Sequence, residues 1–256
     1  MFGLSTTALG DGHLEDWLEG VSSAGFDFVE WISEWPRYIN RRSANVLAEE
    51  IRSFGLELSI HAPFSDLNIG SFNERIRTAS MEVLRETLEI AADIDAMTVT
   101  IHPGHCSPVS RRYRERYTKI HRSSLRTLDA WHEEFGVKLG VENMPSFPIL
   151  DAQTPERLSE LLEGTDLGVT FDVGHLNTTT AEFKRFLELL GDRVIHIHLH
   201  DNHGESDEHL ALGEGTVPWK RLFSMLPHVP ATLEVAGIRE GKKSLNFLKT
   251  VHRWTF

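Results

Sequence analysis

Cysteine is nearly absent from this chain, and long apolar runs are absent altogether. Cys106 is the one cysteine among 256 residues, so a disulfide within the chain is excluded. No stretch approaches the roughly 20 apolar residues that a membrane-spanning helix needs. The first residues also lack the basic segment and cleavage site of a secretory leader. We therefore expect a protein of the reducing cytoplasm, without membrane spans.

Basic side chains are outnumbered by acidic ones. The chain carries 26 Lys and Arg against 38 Asp and Glu, a formal net charge of −12 with His neutral. Because affinity for nucleic acid comes largely from Lys and Arg that displace counterions from phosphates, this balance argues against a surface that grips DNA as a whole. Basic clusters around Arg41–Arg42 and Arg111–Arg116 remain. They suit one phosphate of a small substrate as readily as a strand of DNA.

Common phosphate-binding and nucleophile motifs are missing as well. The first half of the chain holds no G-x-G-x-x-G or Walker sequence, one of which a doubly wound nucleotide fold would place after an early strand. No G-x-S-x-G elbow occurs. These absences disfavour a dinucleotide-binding fold and a serine hydrolase.

The chain does show a regular alternation of strand-like and helix-like segments. We predict strands near 2–6, 27–32, 56–61, 97–102, 137–142, 168–172, 194–199 and 231–235. Helices are predicted near 13–24, 43–54, 73–94, 111–135, 155–163, 180–190, 219–226 and 243–253. Eight alternating pairs without a dividing linker predict an α/β protein with a single (β/α)8 TIM barrel as one domain over residues 1–256.

Six of the predicted strands end in a histidine or a carboxylate. Successive side chains of a strand point to opposite faces, so each of these residues shares a face with the small or polar residue two positions before it. The other face is apolar throughout. The terminal residues are His61, His102, Glu142, Asp172, His198 and Glu234. Because the carboxyl ends of barrel strands meet at one end of the barrel, these donors should converge.

The short connection after the sixth strand and the long connection after the seventh add further donors of the same kind. His175 follows the sixth strand, and Asp207 and His209 follow the seventh. Imidazole nitrogen and carboxylate oxygen are ligands of Zn²⁺, Mn²⁺ and Fe²⁺. We therefore predict one to three divalent metal ions per chain, held by His61, His102, Glu142, Asp172, His175, His198, Asp207, His209 and Glu234.

At these motifs the chain resembles the xylose isomerase-like TIM barrel superfamily. The resemblance runs from the third strand to the eighth. It rests on His61-Ala62-Pro63-Phe64 with Asn68, His102-Pro103-Gly104, Glu142-Asn143, Phe171-Asp172-Val173-Gly174-His175, His198-Leu199-His200-Asp201, the run from Asp207 to Gly215, and Glu234. The superfamily includes sugar and sugar-phosphate isomerases and epimerases, inosose dehydratases and endonuclease IV-like apurinic endonucleases.

The resemblance implies two ligand sets. Epimerase-type members use one metal held by residues that correspond to Glu142, Asp172, His198 and Glu234, and their two glutamates serve as the acid–base pair. The endonuclease-like members add His61 and His102 for a second metal, and His175, Asp207 and His209 for a third, with Glu142 bridging. All nine positions are filled here.

These observations favour a metal-dependent isomerase or epimerase of a sugar or sugar phosphate, with Glu142 and Glu234 as catalytic residues. An endonuclease IV-like phosphodiesterase is the alternative, and DNA would be a partner only in that case. A non-catalytic metal- or sugar-binding barrel is a third hypothesis. The sequence is compatible with a homo-oligomer. As substrate-binding residues we predict Glu30, Asn68, Asn143, His200 and Arg239.

Overall fold

Eight parallel strands close into a barrel in which each strand pairs with its neighbours in chain order. The computed structural model describes residues 1–10 and 12–251. Strands β1 to β8 span Phe2–Ser5, Phe28–Ile32, Glu57–His61, Val99–Ile101, Leu139–Glu142, Gly168–Asp172, Val194–Leu199 and Ala231–Leu233. β1 pairs with β8 as well as with β2, which closes the ring. The predicted (β/α)8 barrel is confirmed.

Ten α-helices surround the strands within the described residues. Helices α1 to α10 span Leu14–Ala24, Ala44–Ser53, Glu74–Asp93, Pro108–Arg112, Arg114–Phe135, Pro155–Leu162, Val173–Thr178, Phe183–Leu190, Trp219–Leu222 and Ile238–Val251. The short helices α4 and α7 were not predicted. α10 begins five residues earlier than expected, so the segment 239–243, predicted as a loop, is helical. None of the described helices combines the length and apolarity needed to cross a membrane.

Local sequence explains several of the helix boundaries. The Asn73 side chain accepts a hydrogen bond from Arg75 N at the start of α3, and Thr154 caps α6 with Pro155 in its first turn. Gly136 ends α5 at a φ of 67°, in the left-handed region that favours glycine. These caps fix where α3 and α6 begin and where α5 ends.

The two faces of the strands separate as the sequence pattern predicts. The apolar residues of β3 to β8 pack outward against the helices, and they are buried with Val99, Val141 and Phe171 in the hydrophobic core. The inward face is polar and fully buried, and it includes Ser59, Thr100, Thr170, His196 and Thr232. The strand-terminal histidines and carboxylates lie two residues further along the same strands.

Gly140 permits the tight inward packing of β5. A Cβ at this position would lie 2.4 Å from Thr170 Oγ1, closer than real Cβ atoms approach a neighbour. Thr170 Oγ1 in turn lies 2.9 Å from Thr100 Oγ1 inside the barrel. The missing side chain at Gly140 therefore lets β5 and β6 bring Glu142 and Asp172 together at the strand ends.

Candidate metal centre

Four of the predicted ligands form what we call the central group, at the middle of the barrel mouth. His198 Nδ1 lies 2.8 Å from Glu142 Oε1 and 3.7 Å from Asp172 Oδ2. It also lies 3.7 Å from Glu234 Oε2. One ligand atom of each residue lies within 4.8 Å of all the others. The side chains come from β5, β6 and β7 and from the residue directly after β8.

Two histidines share the other oxygen of Glu142 and form the first group with it. His102 Nε2 lies 3.0 Å and His61 Nε2 lies 3.4 Å from Glu142 Oε2. His61 Nδ1 is 2.9 Å from the carbonyl oxygen of Ala62. Nδ1 therefore donates to that carbonyl, and Nε2 is the ring nitrogen that faces Glu142. The Phe64 ring stacks on His102 with centroids 4.3 Å apart. Glu142 therefore faces both groups, as a bridging carboxylate would.

The outer group lies toward the β7 loop, which we define as residues 200–218. His175 Nε2 is 3.2 Å and His209 Nε2 is 3.1 Å from Asp207 Oδ2. A third histidine, His200, places Nε2 3.4 Å from Asp207 Oδ1. Asp207 and His209 keep side-chain exposures of 28% and 31%, so the centre meets solvent on this side.

A basal group lies one layer deeper in the barrel. Glu30 Oε2 is 3.0 Å from His198 Nε2, and Glu30 Oε1 is 3.6 Å from His196 Nε2. His196 Nε2 also lies 2.8 Å from Thr232 Oγ1. All three ionisable residues of the basal group are fully buried. This group contacts the central group through His198.

The charges of the centre are strongly coupled. Burial alone would raise the pKa of Glu142, but the surrounding histidines, His198 foremost, hold that pKa well below its usual range. Burial opposes protonation of His198, yet the nearby carboxylates of Glu234 and Glu30 raise its pKa well above the usual value. Burial lowers the pKa of His102 to about 4. Without a metal ion, the positive charge of protonated His198 therefore balances negative charge on the surrounding carboxylates.

The outer group shows the same balance of burial and charge. Burial would lower the pKa of His175, but Asp172 and Asp207 raise it to about 10. The pKa of His209 is raised to about 9 against burial, by Asp207 and Glu234. Protonated His175 and His209 thus supply positive charge that a metal ion would otherwise supply.

The donor set fits divalent metal ions. Histidine nitrogen and carboxylate oxygen within a few ångströms of one another are the ligands of Zn²⁺, Mn²⁺ and Fe²⁺. Asp172 Oδ2, which faces the central group, is buried and makes no hydrogen bond within the described part of the chain. An uncompensated buried carboxylate oxygen is costly, and a cation satisfies it. Several buried His, Glu and Asp clusters of this chain can therefore hold metal.

The residues predicted to bind substrate are placed differently from one another. Both amide atoms of Asn143 pair with the backbone of Asp172, at 2.8 and 2.9 Å. Asn68 joins two loops by bonding the backbone of His105 and Gly70. Glu30 is sealed beneath the centre. Because the amide groups of Asn68 and Asn143 already pair with the backbone and Glu30 lies buried against His198, we propose that these three residues support the centre instead of binding substrate.

The other two predicted substrate binders differ in their positions. His200 is fully buried and belongs to the outer group. Its parity with His196 and His198, two and four residues earlier, is a signal that could have placed it inside the barrel. Arg239 is exposed in the first turn of α10, at the same end of the barrel as the metal centre. Its predicted role in binding substrate stays a prediction.

Asp201, which the sequence offers as a candidate for orienting ligands or binding substrate, has contacts that strand pattern does not reveal. Its fully buried carboxylate accepts hydrogen bonds from Gly213 N at 2.8 Å and Val217 N at 3.1 Å. The indole Nε1 of Trp219 donates to it at 2.7 Å. Asp201 thereby holds together the two ends of the loop that carries Asp207 and His209.

Comparison with known proteins agrees with this geometry. The model of the family described as "Xylose isomerase-like TIM barrel" matches residues 18–251. The chain belongs to this family. Among solved structures, the chain is similar to a "D-tagatose 3-epimerase-like protein" that is 33% identical, with a TM-score of 0.88 over 98% of this chain and 96% of that one.

Two curated proteins are also similar in sequence to this chain. The chain is 35% identical over 257 residues to "Uncharacterized protein MJ1311" of Methanocaldococcus jannaschii, covering 97% of this chain and 88% of that protein. It is 27% identical over 242 residues to "Probable endonuclease 4" of Mycobacterium tuberculosis, covering 89% and 91%. Xylose isomerase-like relatives of this chain thus carry names of both epimerase and endonuclease type.

Proposed function

We propose that this xylose isomerase-like barrel is a divalent-metal-dependent isomerase or epimerase of a sugar or sugar phosphate. The observation that carries the proposal is the central group, in which two glutamates, Glu142 and Glu234, approach the same His198 nitrogen from strands three positions apart in the barrel. Epimerisation by two general acid–base groups can use one carboxylate to remove a proton from a carbon and a second to return one. The 33% identity to a D-tagatose 3-epimerase-like protein over nearly the whole chain supports it.

Glu142, Asp172, His198 and Glu234 would hold the catalytic ion. When bound, a divalent cation polarises the carbonyl and hydroxyl oxygens of a ketose and acidifies the C–H bond between them. One glutamate takes that proton while the C–H electron pair moves to the carbonyl oxygen. The other glutamate delivers a proton to the opposite face of the same carbon as the carbonyl re-forms. The configuration at the carbon is inverted, and no atom is gained or lost.

The surface charge of the chain supports a small substrate. Arg41 is paired with Glu89 and Arg37 donates to the carbonyl oxygen of Gly10, so both arginines are engaged within the chain. Trp35 and Phe147, on the connections after β2 and β5, are 80% and 56% exposed, as suits contact with a sugar ring face. We propose a reaction in the cytoplasm with a sugar or sugar phosphate as partner.

An endonuclease IV-like phosphodiesterase is the second candidate. It is favoured by the complete set of nine ligands and by the 27% identity to a probable endonuclease 4. Several metal ions suit phosphate ester hydrolysis, because they activate water and neutralise the transferred group. Against it stands the net charge of −12, since extruding a nucleotide from duplex DNA needs a basic groove.

Direct assays on the metal-loaded protein separate the two candidates. A panel of ketohexoses and their phosphates is tested for interconversion, and duplex DNA with an abasic site is tested for incision at several salt concentrations. We expect interconversion that is lost in Glu142→Gln and Glu234→Gln and kept in Glu133→Gln, a change on the exposed end of α5. Salt-sensitive incision that is lost in Glu142→Gln, without ketose interconversion, would overturn the proposal.

A further inference from the structure

His200 is a fourth histidine or carboxylate donor in a group that the sequence motifs supply with three. We propose that His200 completes a closed, four-ligand metal site with His175, Asp207 and His209, which fixes the β7 loop rather than catalysing the reaction. The inference rests on the proposed function, because it presupposes a metalloenzyme. It adds that the outer group takes a structural ion.

Two of the histidines already present the correct nitrogen. His175 Nδ1 lies 2.8 Å from the carbonyl oxygen of Asn143, and His209 Nδ1 lies 2.9 Å from that of Glu234. Because a carbonyl only accepts, both Nδ1 atoms must donate, and both Nε2 atoms face Asp207. A backbone acceptor behind a ligating imidazole is the usual partner that fixes its tautomer.

Among the described residues, His200 has no backbone acceptor of this kind to account for its buried position. It is fully buried, and among the described residues neither of its ring nitrogens makes a hydrogen bond of acceptable geometry. Its Nε2 nevertheless lies 3.4 Å from Asp207 Oδ1 and 3.1 Å from Asp172 Oδ1. Leaving a buried polar group without a hydrogen bond costs free energy. A cation among the four donors satisfies it.

The position of the His200 ring is built into the neighbouring backbone. A Cβ at Gly174 would lie 2.0 Å from His200 Cε1, so the ring occupies the space that a side chain would fill. Gly174 belongs to α7, directly before His175. The helix that supplies one ligand is therefore shaped to admit another.

The spacing and the number of donors match a closed site. Metal–nitrogen bonds of 2.0–2.1 Å in a tetrahedron place the ligand atoms about 3.3 Å apart. The three histidine Nε2 atoms lie 3.1 to 3.4 Å from the nearer Asp207 oxygen. Four protein ligands are typical of structural zinc sites, whereas catalytic sites keep one position for water or substrate.

The closed site would join parts of the chain that are otherwise separate. His175 is on α7 and His200 directly follows β7, while Asp207 and His209 come from the middle of the β7 loop. His209 also donates to the backbone carbonyl of Glu234. An ion in the outer group would thus fix the loop and, through His209, the backbone of a proposed catalytic glutamate. Proton transfer would then belong to the central group alone.

The test uses the full-length protein loaded with Zn²⁺ or Co²⁺. His200→Asn and His200→Ala are compared with the wild type and with His203→Ala, a histidine of the same loop that is 57% exposed and pairs with Glu208. Chelator competition gives the affinity for each metal equivalent. Far-UV circular dichroism in EDTA verifies that each variant folds.

We expect both His200 variants to lose one metal equivalent or to bind it at least about 100-fold more weakly, beyond the 10- to 100-fold effect typical of an outer-shell partner. His203→Ala should match the wild type. Unchanged affinity for every equivalent in His200→Asn would overturn the His200 assignment and leave the epimerase proposal standing. A wild-type protein that retains no divalent metal would contradict both.

Limited proteolysis of the wild type gives a readout that needs no variant. Glu205 and Glu208 offer cleavage sites for a glutamate-specific protease within the β7 loop. Metal should protect this loop, and EDTA should expose it. Equal cleavage with and without metal would contradict a loop fixed by the outer group.

Discussion

Glu30 contacts His198 on the side of the imidazole that faces away from the central group. Glu30 Oε1 pairs with His198 Nε2 at 3.2 Å, while His198 Nδ1 faces Glu142 at 2.8 Å. A carboxylate that accepts the far N–H of a ligating histidine fixes its ring and makes it a stronger ligand. We therefore propose that Glu30, expected from sequence to reach substrate, would act on a bound metal through His198.

Replacing Glu30 tests this positioning role. Glu30→Gln keeps the shape of the side chain but removes its negative charge, so His198 becomes a weaker ligand. We expect the affinity of the central group for Mn²⁺ or Zn²⁺ to fall by about 10- to 100-fold, as measured by chelator competition. Glu133→Gln serves as the control and should bind as the wild type does. An unchanged affinity in Glu30→Gln would show that the contact has no effect on the metal.

Gly174 should tolerate no side chain. In Gly174→Ala the new methyl group meets the His200 ring at 2.0 Å, and relieving such a clash typically costs about 1–3 kcal/mol of unfolding free energy. Gly191→Ala is the matched control, because φ is −55° there and the nearest atom to its Cβ lies 3.8 Å away. We expect it to gain about 0.4–1 kcal/mol. Urea denaturation in EDTA measures both, and equal stabilities would contradict the packing described.

Metal binding to the outer group should release protons. In the metal-free protein the pKa values of His175 and His209 are raised to about 10 and about 9, so both are protonated at pH 7. A metal binds only neutral imidazole, and we expect about two protons to leave for each ion bound there. Affinity should rise with pH and level off above pH 10.

Calorimetry in buffers of different ionisation enthalpy counts these protons. At pH 7 the apparent binding enthalpy should depend on the buffer, and at pH 10.5 that dependence should largely disappear. A binding enthalpy that is independent of the buffer at pH 7 would mean that His175 and His209 are neutral before metal binds.

Asp201 should be the main support of the β7 loop. Asp201→Ala leaves three backbone N–H groups, those of Asn202, Gly213 and Val217, and the Trp219 indole without their acceptor. Each buried unpaired donor costs about 1–3 kcal/mol. We expect a loss of about 3 kcal/mol or more in unfolding free energy, against about 1 kcal/mol for Trp219→Phe, which removes one of these hydrogen bonds. Equal losses in the two variants would show that the backbone contacts of Asp201 contribute little.

Strand pattern predicted the barrel and the residues at its strand ends, because successive side chains point to opposite faces of a strand and here one face is polar and the other apolar. The ring from His61 to Glu234 follows from that rule and from strand order alone. His121 shows where such reasoning fails. Its place on the predicted helix 111–135 leads us to expect it at the surface, but it is buried and accepts a hydrogen bond from Gly104 N at 3.1 Å. His252, on the predicted helix 243–253, is expected at the surface as well and lies outside the described residues.

Loop residues could not be placed from sequence because distant contacts fix them. Three partners of the Asp201 carboxylate lie 12 to 18 residues further along the chain, and those of Asn143 lie on the next strand. Local propensity carries no signal for such pairings. Strand parity and the connections after two strands predict the nine ligands, and the resemblance to a known family divides them into sets. His200 was misjudged as a loop residue although it continues the inward parity of β7.

Hydrogen exchange at a sugar carbon tests the central claim most directly. The metal-loaded protein is incubated in D₂O with ketohexoses and their phosphates, and deuterium at the carbon next to the carbonyl is followed by NMR. We predict incorporation together with epimerisation, reduced by about 10²- to 10⁴-fold in Glu142→Gln and Glu234→Gln. No incorporation into any of these sugars, with incision of abasic DNA that depends on Glu142, would contradict the account.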